Sequence, residues 1–160
     1  MPVDIFLKME PIKGESKDSK HKDEIEIDSF NFGASQGGTF GSGGGGGKGK
    51  VSVQDLHLTH RMDAASSSLF QGTAQGIHYS KAILTVRKAG GKDALEYLKI
   101  TLEEVLVSSV QCSSHSGDER LMESFSLNFR KITYEYNTQT EKGGKGSGTP
   151  VTYDVAANSE

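Results

Sequence analysis

Histidines, a single cysteine, several serines and a glycine-rich stretch are the residues of this chain whose types and spacing could support chemistry. The pairs His57–His60 and Cys112–His115 have a spacing found between metal ligands. On a strand, residues three apart point to opposite faces, so His57 and His60 cannot bind one ion. Cys112 and His115 fall in a predicted serine-rich loop without a second ligand pair. The sequence therefore predicts neither a metal site nor a cofactor.

The serines and acidic residues do not form a recognisable catalytic group. No serine stands in the G-x-S-x-G turn that exposes a hydrolase nucleophile. Glu103 and Glu104 are adjacent on a predicted strand and face opposite ways, which excludes a paired acid and base. A small hydrolase would need a nucleophile and a base that converge, and the spacing supports none. We predict that the protein is not an enzyme.

The glycine-rich stretch invites comparison with a phosphate-binding loop. Gly44 to Lys50 fit G-x-x-x-x-G-K, but Val51 stands where a P-loop has the serine or threonine that holds magnesium. A phosphate loop also leads into a helix, whereas Val51 begins a predicted strand. The stretch is therefore interpreted as a mobile or partner-ordered loop rather than as a nucleotide site.

Length and composition are typical of one globular domain. The chain has 160 residues, of which 34% are hydrophobic and 20 are glycine, and this suffices for a core without covalent cross-links. The net charge of −3 argues against nucleic-acid binding, which requires a basic excess. The one cysteine cannot form an internal disulfide.

Hydropathy along the chain indicates where the protein is made. No run approaches the ~18 consecutive apolar residues of a membrane span, so no membrane insertion is expected. The first residues lack the basic and the continuous apolar regions of a secretory signal. We therefore expect synthesis in the cytoplasm without a signal peptide.

Alternation of apolar and polar residues predicts a mainly β protein. A first strand alternates Val3, Ile5, Leu7 and Met9 with polar residues. In four later segments the apolar residues change parity partway, which indicates bulges or the strong coiling that curls a sheet into a small barrel. These switches run from Ile25 and Ile27 to Phe30 and Phe32, from Val51 and Val53 to Leu56 and Leu58, from Leu98, Ile100 and Leu102 to Val105 and Val107, and from Phe125, Leu127 and Phe129 to Ile132, Tyr134 and Tyr136.

The remaining segments predict one helix and two long loops. A short helix over residues 64–76 follows possible N-caps and stops at Gly76. Residues 37–50 form an extended glycine-rich loop, and residues 137–148 form a second one before a short terminal strand. No alternation of strands and helices indicates a doubly wound sheet. The predicted fold is a single domain, residues 1–160, built as a small antiparallel β-barrel with one short flanking α-helix.

Apolar residues on both parities of the long strands predict that the barrel also carries apolar groups on its outer face. One short helix cannot cover such a face, and exposed apolar surface favours association. Closed rings of identical subunits are a common result. The sequence therefore predicts self-association.

Several sequence motifs occur together along nearly the whole chain. They are Phe6-Leu7-Lys8, Ile12-Lys13-Gly14-Glu15-Ser16 with Asp18, residues 21–27, Val53-Gln54-Asp55-Leu56, residues 97–102, residues 105–109 and residues 126–132. The run Lys13-Gly14-Glu15-Ser16 followed by Asp18 and His21 is a fairly specific combination. In these motifs the chain resembles the haemolysin-coregulated protein family, Hcp, the tube subunits of bacterial type VI secretion systems.

The resemblance implies a structural subunit without enzymatic activity or cofactors. Six copies would form a ring, and rings would stack into a tube that a contractile sheath and its spike drive out of the cell. The lumen would carry or chaperone effector proteins, and the subunit itself would be exported through the apparatus to the extracellular space or the target cell. Because the sequence ends soon after its last long strand, no fused toxin domain is expected.

The resemblance also gives roles to particular residues. Lys13, Gly14, Glu15, Ser16 and Asp18 form a loop that carries the family motif. The extended loop would contact the neighbouring ring, although a simple linker between strands is the alternative. The residues expected in that contact are Gly37, Gly38, Thr39, Phe40, Gly41, Gly43, Gly45, Gly47, Lys48 and Lys50.

The candidate lumen residues follow from alternation on one strand. If Phe30 and Phe32 point into the core, Ser29 and Asn31 lie on the opposite face. That face would line the lumen with small polar groups, or it would face bulk solvent.

A second function remains open on the sequence alone. A secreted ligand-binding or adhesion module could act through the glycine-rich loops. Such platforms usually stack ligands on aromatic rings, and Phe40 is the only aromatic residue from Gly33 to Lys50. This scarcity weighs against the binding module.

Overall fold

The computed structural model describes residues 3–38, 51–88, 94–139 and 145–157. In these ranges the chain forms ten strands and one helix. They are β1 (Val3–Lys8), β2 (Ile25–Glu26), β3 (Ser29–Asn31), β4 (Ala34–Gln36), β5 (Val51–Val53), β6 (Leu56–Arg61), α1 (Ser66–Gln75), β7 (His78–Lys88), β8 (Glu96–Ser113), β9 (Met122–Tyr136) and β10 (Val151–Asp154).

One antiparallel sheet of eight strands makes up most of the fold, in the order β2-β1-β7-β8-β9-β6-β3 with β10 also paired to β9. Its two end strands, β2 and β3, are neighbours along the chain. The N–H of Ile27 donates to the carbonyl of Ile5 (2.9 Å), and the N–H of Asp28 donates to the carbonyl of Thr59 (2.8 Å). This segment therefore bonds to both edges of the sheet and holds the sheet in a curled, barrel-like shape. The predicted mainly β, antiparallel fold with one helix is confirmed.

In the three longest strands, β7, β8 and β9, the alternation of buried and exposed residues changes phase at one position. These positions lie side by side in the sheet and form a line across it, the exchange line. The line passes through Ser80, Glu104 and Arg130, which are left out of the pairing while the register on either side of them is unchanged. Glu104 has a φ of 53°, a left-handed conformation that re-aims the side chains beyond it. Buried residues are paired on both sides of the line, Tyr79 with Val105 and Phe129 on one side and Ala82 with Leu102 and Ile132 on the other.

This exchange gives the parity switches a different explanation from the one that the sequence suggested. The sequence predicts apolar groups on the outer face, but in β7, β8 and β9 both parities enter the same core. That premise of the self-association argument is therefore wrong near the exchange line, because the strand faces exchange where the parity does. At the end of β9, however, Tyr134 and Tyr136 are exposed. Association has to rest on surfaces away from the exchange line.

Two of the predicted switches are breaks between elements rather than bends within one strand. Ile27 and Asp28 separate β2 from β3, and the chain moves there from one sheet edge to the other. Likewise Val51–Val53 pairs with β4 in a separate two-stranded sheet, whereas Leu56–Arg61 belongs to the main sheet.

The helix lies within the predicted residues 64–76 and packs against β8. Leu69 of the helix is fully buried. Gly72 approaches the hydroxyl of Tyr79 so closely that a Cβ atom would clash. Gly76 ends the helix in a left-handed conformation, φ 62°, and its N–H donates to the carbonyl of Gly72.

The two long loops are described only in part. The two-stranded sheet of β4 and β5 forms the base of the extended loop, and Gly37 and Gly38 beyond it have no heavy atom within 4 Å of an added Cβ. The other residues expected in the ring contact, from Thr39 to Lys50, lie outside the described residues. In the second loop residues 140–144 lie outside them too, and the short terminal strand that follows is β10.

Candidate functional site

The loop that carries the sequence motif folds back on itself and covers β1. The N–H of Gly14 donates to the carbonyl of Asp23 (2.8 Å), and the N–H of Ser16 donates to that of Glu24 (3.1 Å). A Cβ at Gly14 would lie 2.5 Å from the Glu24 carbonyl oxygen and 2.7 Å from Cα of Ile25, so only glycine allows this approach. Ser16 is buried, and its hydroxyl accepts the N–H of Asp18 (3.3 Å).

Asp18 is the acidic anchor of this motif loop. Its Oδ1 accepts a hydrogen bond from Arg87 Nη1 (3.0 Å), and its Oδ2 accepts one from Nη2. Arg87 is buried on β7, also binds Asp4, and places its guanidinium 4.9 Å from the ring centroid of Phe6. The hydrogen bond from Arg87 holds the pKa of Asp18 at about 2, well below its usual value. The loop is thus fastened by a charge-assisted, two-point contact.

His21 fastens the other end of the motif loop. Its Nδ1 lies 2.8 Å from Glu24 Oε2, and its Nε2 lies 2.7 Å from Glu96 Oε1 at the start of β8. The imidazole stacks on Phe6, with centroids 4.4 Å apart and planes within 6°. Phe6 points away from Ile5 and Leu7 and is nevertheless only 4% exposed. The motif loop is therefore the cover of an apolar ring on the outer face of β1.

The other two motif residues are exposed. Lys13 Nζ donates to Glu10 (2.6 Å to Oε1), and this hydrogen bond lowers the pKa of Glu10. Glu15 Oε2 accepts the N–H of Ala64 just before α1 (3.3 Å). The sequence-predicted motif residues thus lie together in one loop, with Gly14, Ser16 and Asp18 in structural positions and Lys13 and Glu15 on its surface.

The two candidate lumen residues lie in a different place, on the outward face of four adjacent strands. Phe30 and Phe32 pack, partly buried, against the core, as predicted. Directly paired residues share a face, and β3, β6, β9 and β8 align polar, mostly small residues in two rows. We call these eight residues the polar ladder: Ser29, Thr59, Ser124 and Gln111 in one row, and Asn31, His57, Ser126 and Ser109 in the other.

Hydrogen bonds between side-chain hydroxyls connect several residues of the polar ladder. Ser29 bonds to Thr59 through their hydroxyls. The hydroxyls of Ser108 and Ser109 lie 2.7 and 2.5 Å from that of Ser126. Both serines of β8 can reach Ser126 because the pairing of β8 with β9 shifts by one residue between Val107 and Ser109.

Asp55 extends this hydrogen-bond network beyond Ser108. Its Oδ2 accepts the hydroxyl of Ser108 (2.7 Å), and its Oδ1 accepts Nδ2 of Asn128 (2.8 Å). No hydrogen bond between His57 and its paired neighbour Ser126 is present in the part of the chain that the structure describes. Ser126 thus bonds to other hydroxyls rather than to a base, and the arrangement provides hydrogen bonding without an activated nucleophile.

The outward face on the other side of the exchange line has a different character. There two rows contain charged residues: Lys81, Glu103 and Lys131 form one row, and Lys99 pairs with Glu135 in the other. A neutral row of Ile83, Thr101 and Thr133 lies between them. Lys131 Nζ lies 3.7 Å from Glu103 Oε2. The barrel wall therefore carries a mosaic of charges on one half and hydroxyl and amide groups on the other.

Exposed apolar residues form a third feature. Tyr134 and Val151 are paired on β9 and β10, and Tyr136 follows on the same face, edge-on to Tyr97. They are 43%, 58% and 53% exposed. We call Tyr134, Tyr136 and Val151 the β9–β10 patch. It lies beside a strand, β10, that pairs on one edge with β9, and edge strands of this kind are sites of association.

The remaining candidate ligands do not converge. His57 is exposed and His60 is fully buried, so the pair does face opposite ways. Cys112 lies on β8 rather than in a loop, because that strand extends to Ser113, and His115 follows in the turn. Across the described residues no three His, Cys, Asp or Glu side chains are grouped so that they could hold a metal ion. Nor does any helix in those residues have the length and hydropathy for a membrane span.

The fold is a small β-domain: a curled antiparallel barrel with a polar half-wall, an apolar edge patch and a structural motif loop. A family model described as "Type VI secretion system effector, Hcp" matches residues 6–136. Protein hcp1 of Pseudomonas aeruginosa is 47% identical over 153 residues, which cover 96% of this chain and 94% of that protein. The chain therefore belongs to the Hcp family of type VI secretion proteins, a family of structural tube proteins rather than enzymes.

Solved structures agree with this assignment. A type six secretion system protein superposes with a TM-score of 0.92 at 31% identity, and the match covers 98% of both chains. Hcp1 from Salmonella typhimurium superposes with a TM-score of 0.82 at 41% identity, covering 100% of this chain and 99% of that one.

Sequence reasoning missed two parts of the site. It did not find Arg87, because a single arginine in an apolar strand gives no signal for its acidic partners on other segments. It found only the first strand of the polar ladder. Ser124 and Ser126 alternate with the apolar residues Phe125 and Leu127. This alternation of small polar and apolar residues could have extended the prediction to β9.

Proposed function

We propose that six copies of this chain close into a ring whose inner wall is the polar ladder. The observation that carries this proposal is the contrast between the two halves of the barrel wall. A wall that faces bulk water usually carries charges, as the half with Lys81, Glu103 and Lys131 does. The half with the polar ladder carries mainly hydroxyl and amide groups, which suit a surface that slides past or holds a folded protein without fixing it.

Ring closure requires contact between copies, and the β9–β10 patch supports it. Tyrosine side chains are enriched in protein interfaces, and Tyr134 and Tyr136 here flank the exposed Val151. In the ring this patch of one subunit contacts the next. Six copies related by rotation close without leaving an unpaired end.

Rings stack into the tube of the secretion system, and the extended loop, residues 37–50, contacts the neighbouring ring. The separate sheet of β4 and β5 supports this role, because it gives the loop a base outside the barrel. The tube partners are the sheath and spike components of the apparatus. Effector proteins travel in the lumen against the polar ladder, and the subunit is exported with them.

The oligomeric state tests the first step of this proposal. Native mass spectrometry of the purified protein at several concentrations is expected to give a mass of six subunits. A mass of one subunit at the highest concentration would contradict ring formation.

The position of the polar ladder needs a separate test. Asn31→Arg places a bulky charge at the ladder, and it is expected to reduce co-purification of an effector while the six-subunit mass remains. Gln75→Arg adds the same charge at the end of α1, where the side chain is exposed, and should change neither property. If Asn31→Arg breaks the ring into single subunits, or if both variants lose the effector equally, the ladder does not face the lumen.

A further inference from the structure

A buried polar cluster lies where the barrel meets the start of α1, apart from the polar ladder and the β9–β10 patch. His60 on β6 is completely buried, and its Nε2 lies 2.7 Å from Oε1 of Glu123, its paired residue on β9. Phe125 packs edge-on against the imidazole, with ring centroids 5.2 Å apart. This end of the core is therefore a histidine–carboxylate pair shielded from water.

The second ring nitrogen of His60 has no hydrogen-bond partner within the described residues. Nδ1 lies 3.9 Å from Oδ2 of Asp63, which is beyond hydrogen-bond distance. When Nε2 donates its proton to Glu123, Nδ1 of the neutral ring presents a lone pair towards the Asp63 carboxylate. Two acceptors then face each other. A single added proton, on either atom, would supply the missing donor.

Asp63 connects this cluster to the helix. Its Oδ1 accepts the N–H of Ala65 (2.8 Å), its own N–H donates to the Ser66 hydroxyl (3.1 Å), and its carbonyl accepts the N–H of Ser66 (3.1 Å). The first residues of α1 are therefore held by Asp63. Any movement of its carboxylate towards or away from His60 is transmitted to the start of the helix.

We propose that His60 and Asp63 form a proton-operated latch that fastens the start of α1 to the barrel. With the extra proton bound, a hydrogen bond joins Nδ1 and Oδ2, and the helix start is held against β6. Without the proton, the two acceptors repel each other, and the helix start is held less firmly.

The charges around the latch favour proton uptake. Burial raises the pKa of Asp63, the hydrogen bond from Ala65 and the nearby His60 act against this, and the carboxylates of Glu15 and Glu123 add to it. Glu123 faces the cluster from β9 and Glu15 from the motif loop. From β8 the residue paired with Glu123 is Cys112, whose thiol lies 3.3 Å from Met62 Sδ.

The pH dependence of the latch follows from this direction. A carboxyl group whose pKa is raised on folding stabilises the fold fully below its unfolded pKa of about 3.9. That stabilisation is lost as the pH rises through the raised value. The latch therefore closes as the pH falls through the raised pKa of Asp63 and opens as the pH rises through it.

The test uses Asp63→Asn, which imitates the protonated state. Its Oδ1 can still accept the Ala65 N–H, and its Nδ2 stands in place of Oδ2 and can donate to His60 Nδ1 at any pH. Hydrogen–deuterium exchange of the α1 amides, corrected for the intrinsic pH dependence of exchange, is measured at about pH 5 and about pH 8 on the assembled protein at one concentration. At about pH 8 the variant should exchange about two- to tenfold more slowly than the wild type, the size expected of one further hydrogen bond. At about pH 5 the two should be similar.

Asp28→Asn is the matched control, because it removes the same charge at an exposed position. It should exchange like the wild type in α1 at both pH values. A wild type whose corrected exchange does not change with pH, or an Asp63→Asn variant that exchanges faster at about pH 8, would overturn the proposal.

A measurement on the unmodified protein covers the case in which the variant does not fold. The nitrogen-15 chemical shift of His60 Nδ1 distinguishes a hydrogen-bonded nitrogen from a free lone pair. The latch predicts hydrogen bonding at about pH 5 and a free lone pair at about pH 8. The same shift at both pH values would exclude the latch.

Discussion

At the scale of single residues, the family motif is explained by packing around one aromatic ring. Phe6 lies on the outer side of β1, where water would otherwise reach it. The ring of His21 stacks on Phe6, and the guanidinium of Arg87, which lies on β7 and binds Asp18 of the motif loop, contacts the same ring. Asp18 and Gly14 hold that loop in place. Motif residues that a sequence alone marks as functional are here part of the stability of the subunit.

Asp18→Asn should lower the free energy of unfolding by about 1–2 kcal/mol at neutral pH, because Arg87 stays buried without one of its two carboxylates. In the wild type the pKa of Asp18 is held at about 2. Its contribution to stability is therefore complete above the unfolded pKa of about 3.9 and is lost as the pH falls towards 2. Urea unfolding from about pH 6 down to about pH 2.5 measures this difference.

The contrast with Asp63 gives this prediction its control. Asp63→Asn should keep or increase stability at neutral pH, whereas Asp18→Asn should decrease it. Parallel stability curves for wild type and Asp18→Asn over the whole acid range would show that the Arg87 contact contributes nothing.

Gly14→Ala tests whether the motif loop depends on close backbone contact. The added methyl group would meet the backbone of Glu24 and Ile25, which cannot rotate away. A loss of about 2 kcal/mol or more is expected in thermal or urea unfolding, in the range of severe steric changes. Gly37→Ala is the control, since a Cβ there meets nothing within 4 Å, and it should change stability by less than about 0.5 kcal/mol. Equal effects of the two substitutions would contradict the packing described for Gly14.

At the scale of elements, the sequence predicted where the strands lie well, but it predicted less well which of their residues are buried in the core. The alternation in β1, the helix near residues 64–76 and the parity switches of β8 and β9 are all present. The face exchange at Glu104 was not predicted, because a left-handed residue other than glycine, asparagine or aspartate leaves no mark in composition. Without that exchange, the sequence pattern predicts that the apolar residues of one parity are exposed, whereas residues of both parities are buried.

Glu104→Val and Glu104→Asn together test the face exchange. Both remove the exposed ion pair with Arg130, in which Nη1 lies 3.3 Å from Glu104 Oε1. Asparagine tolerates the left-handed conformation at φ 53°, whereas valine does not. Glu104→Val should therefore be less stable than Glu104→Asn by about 1–2 kcal/mol in urea unfolding. Equal stabilities would mean that the exchange does not depend on this backbone geometry.

The extended loop offers a test of ring stacking that spares the barrel. Because Gln36 and Val51 are paired at the end of the β4–β5 sheet, residues 37–50 can be replaced by a two-residue Asn-Gly turn. The shortened protein should keep its six-subunit mass but should not form tubes in sedimentation velocity or negative-stain images. A control that leaves the loop intact and carries Asp28→Asn, at an exposed position outside it, should behave like the wild type. Tubes formed by the shortened protein would contradict the contact between rings.

At the scale of the whole molecule, composition excluded more than it identified. A net charge of −3 and one cysteine ruled out classes of function, and only the combined motifs pointed to the Hcp family. The polar ladder could not be assembled from the sequence, since its rows cross four strands whose register depends on the bulge near Ser108. The order of the strands, and with it the division of the barrel wall into charged and neutral halves, required the folded structure.

The polar ladder as the inner wall of a six-membered ring is the central claim, and electron cryo-microscopy of the purified protein tests it most directly. The reconstruction should show six subunits around a pore, with the exposed ladder residues Ser29, Asn31 and Ser109 on its wall and the charged row of Lys81, Glu103 and Lys131 away from it. Isolated subunits, or a ring whose pore is lined by the charged row, would contradict it.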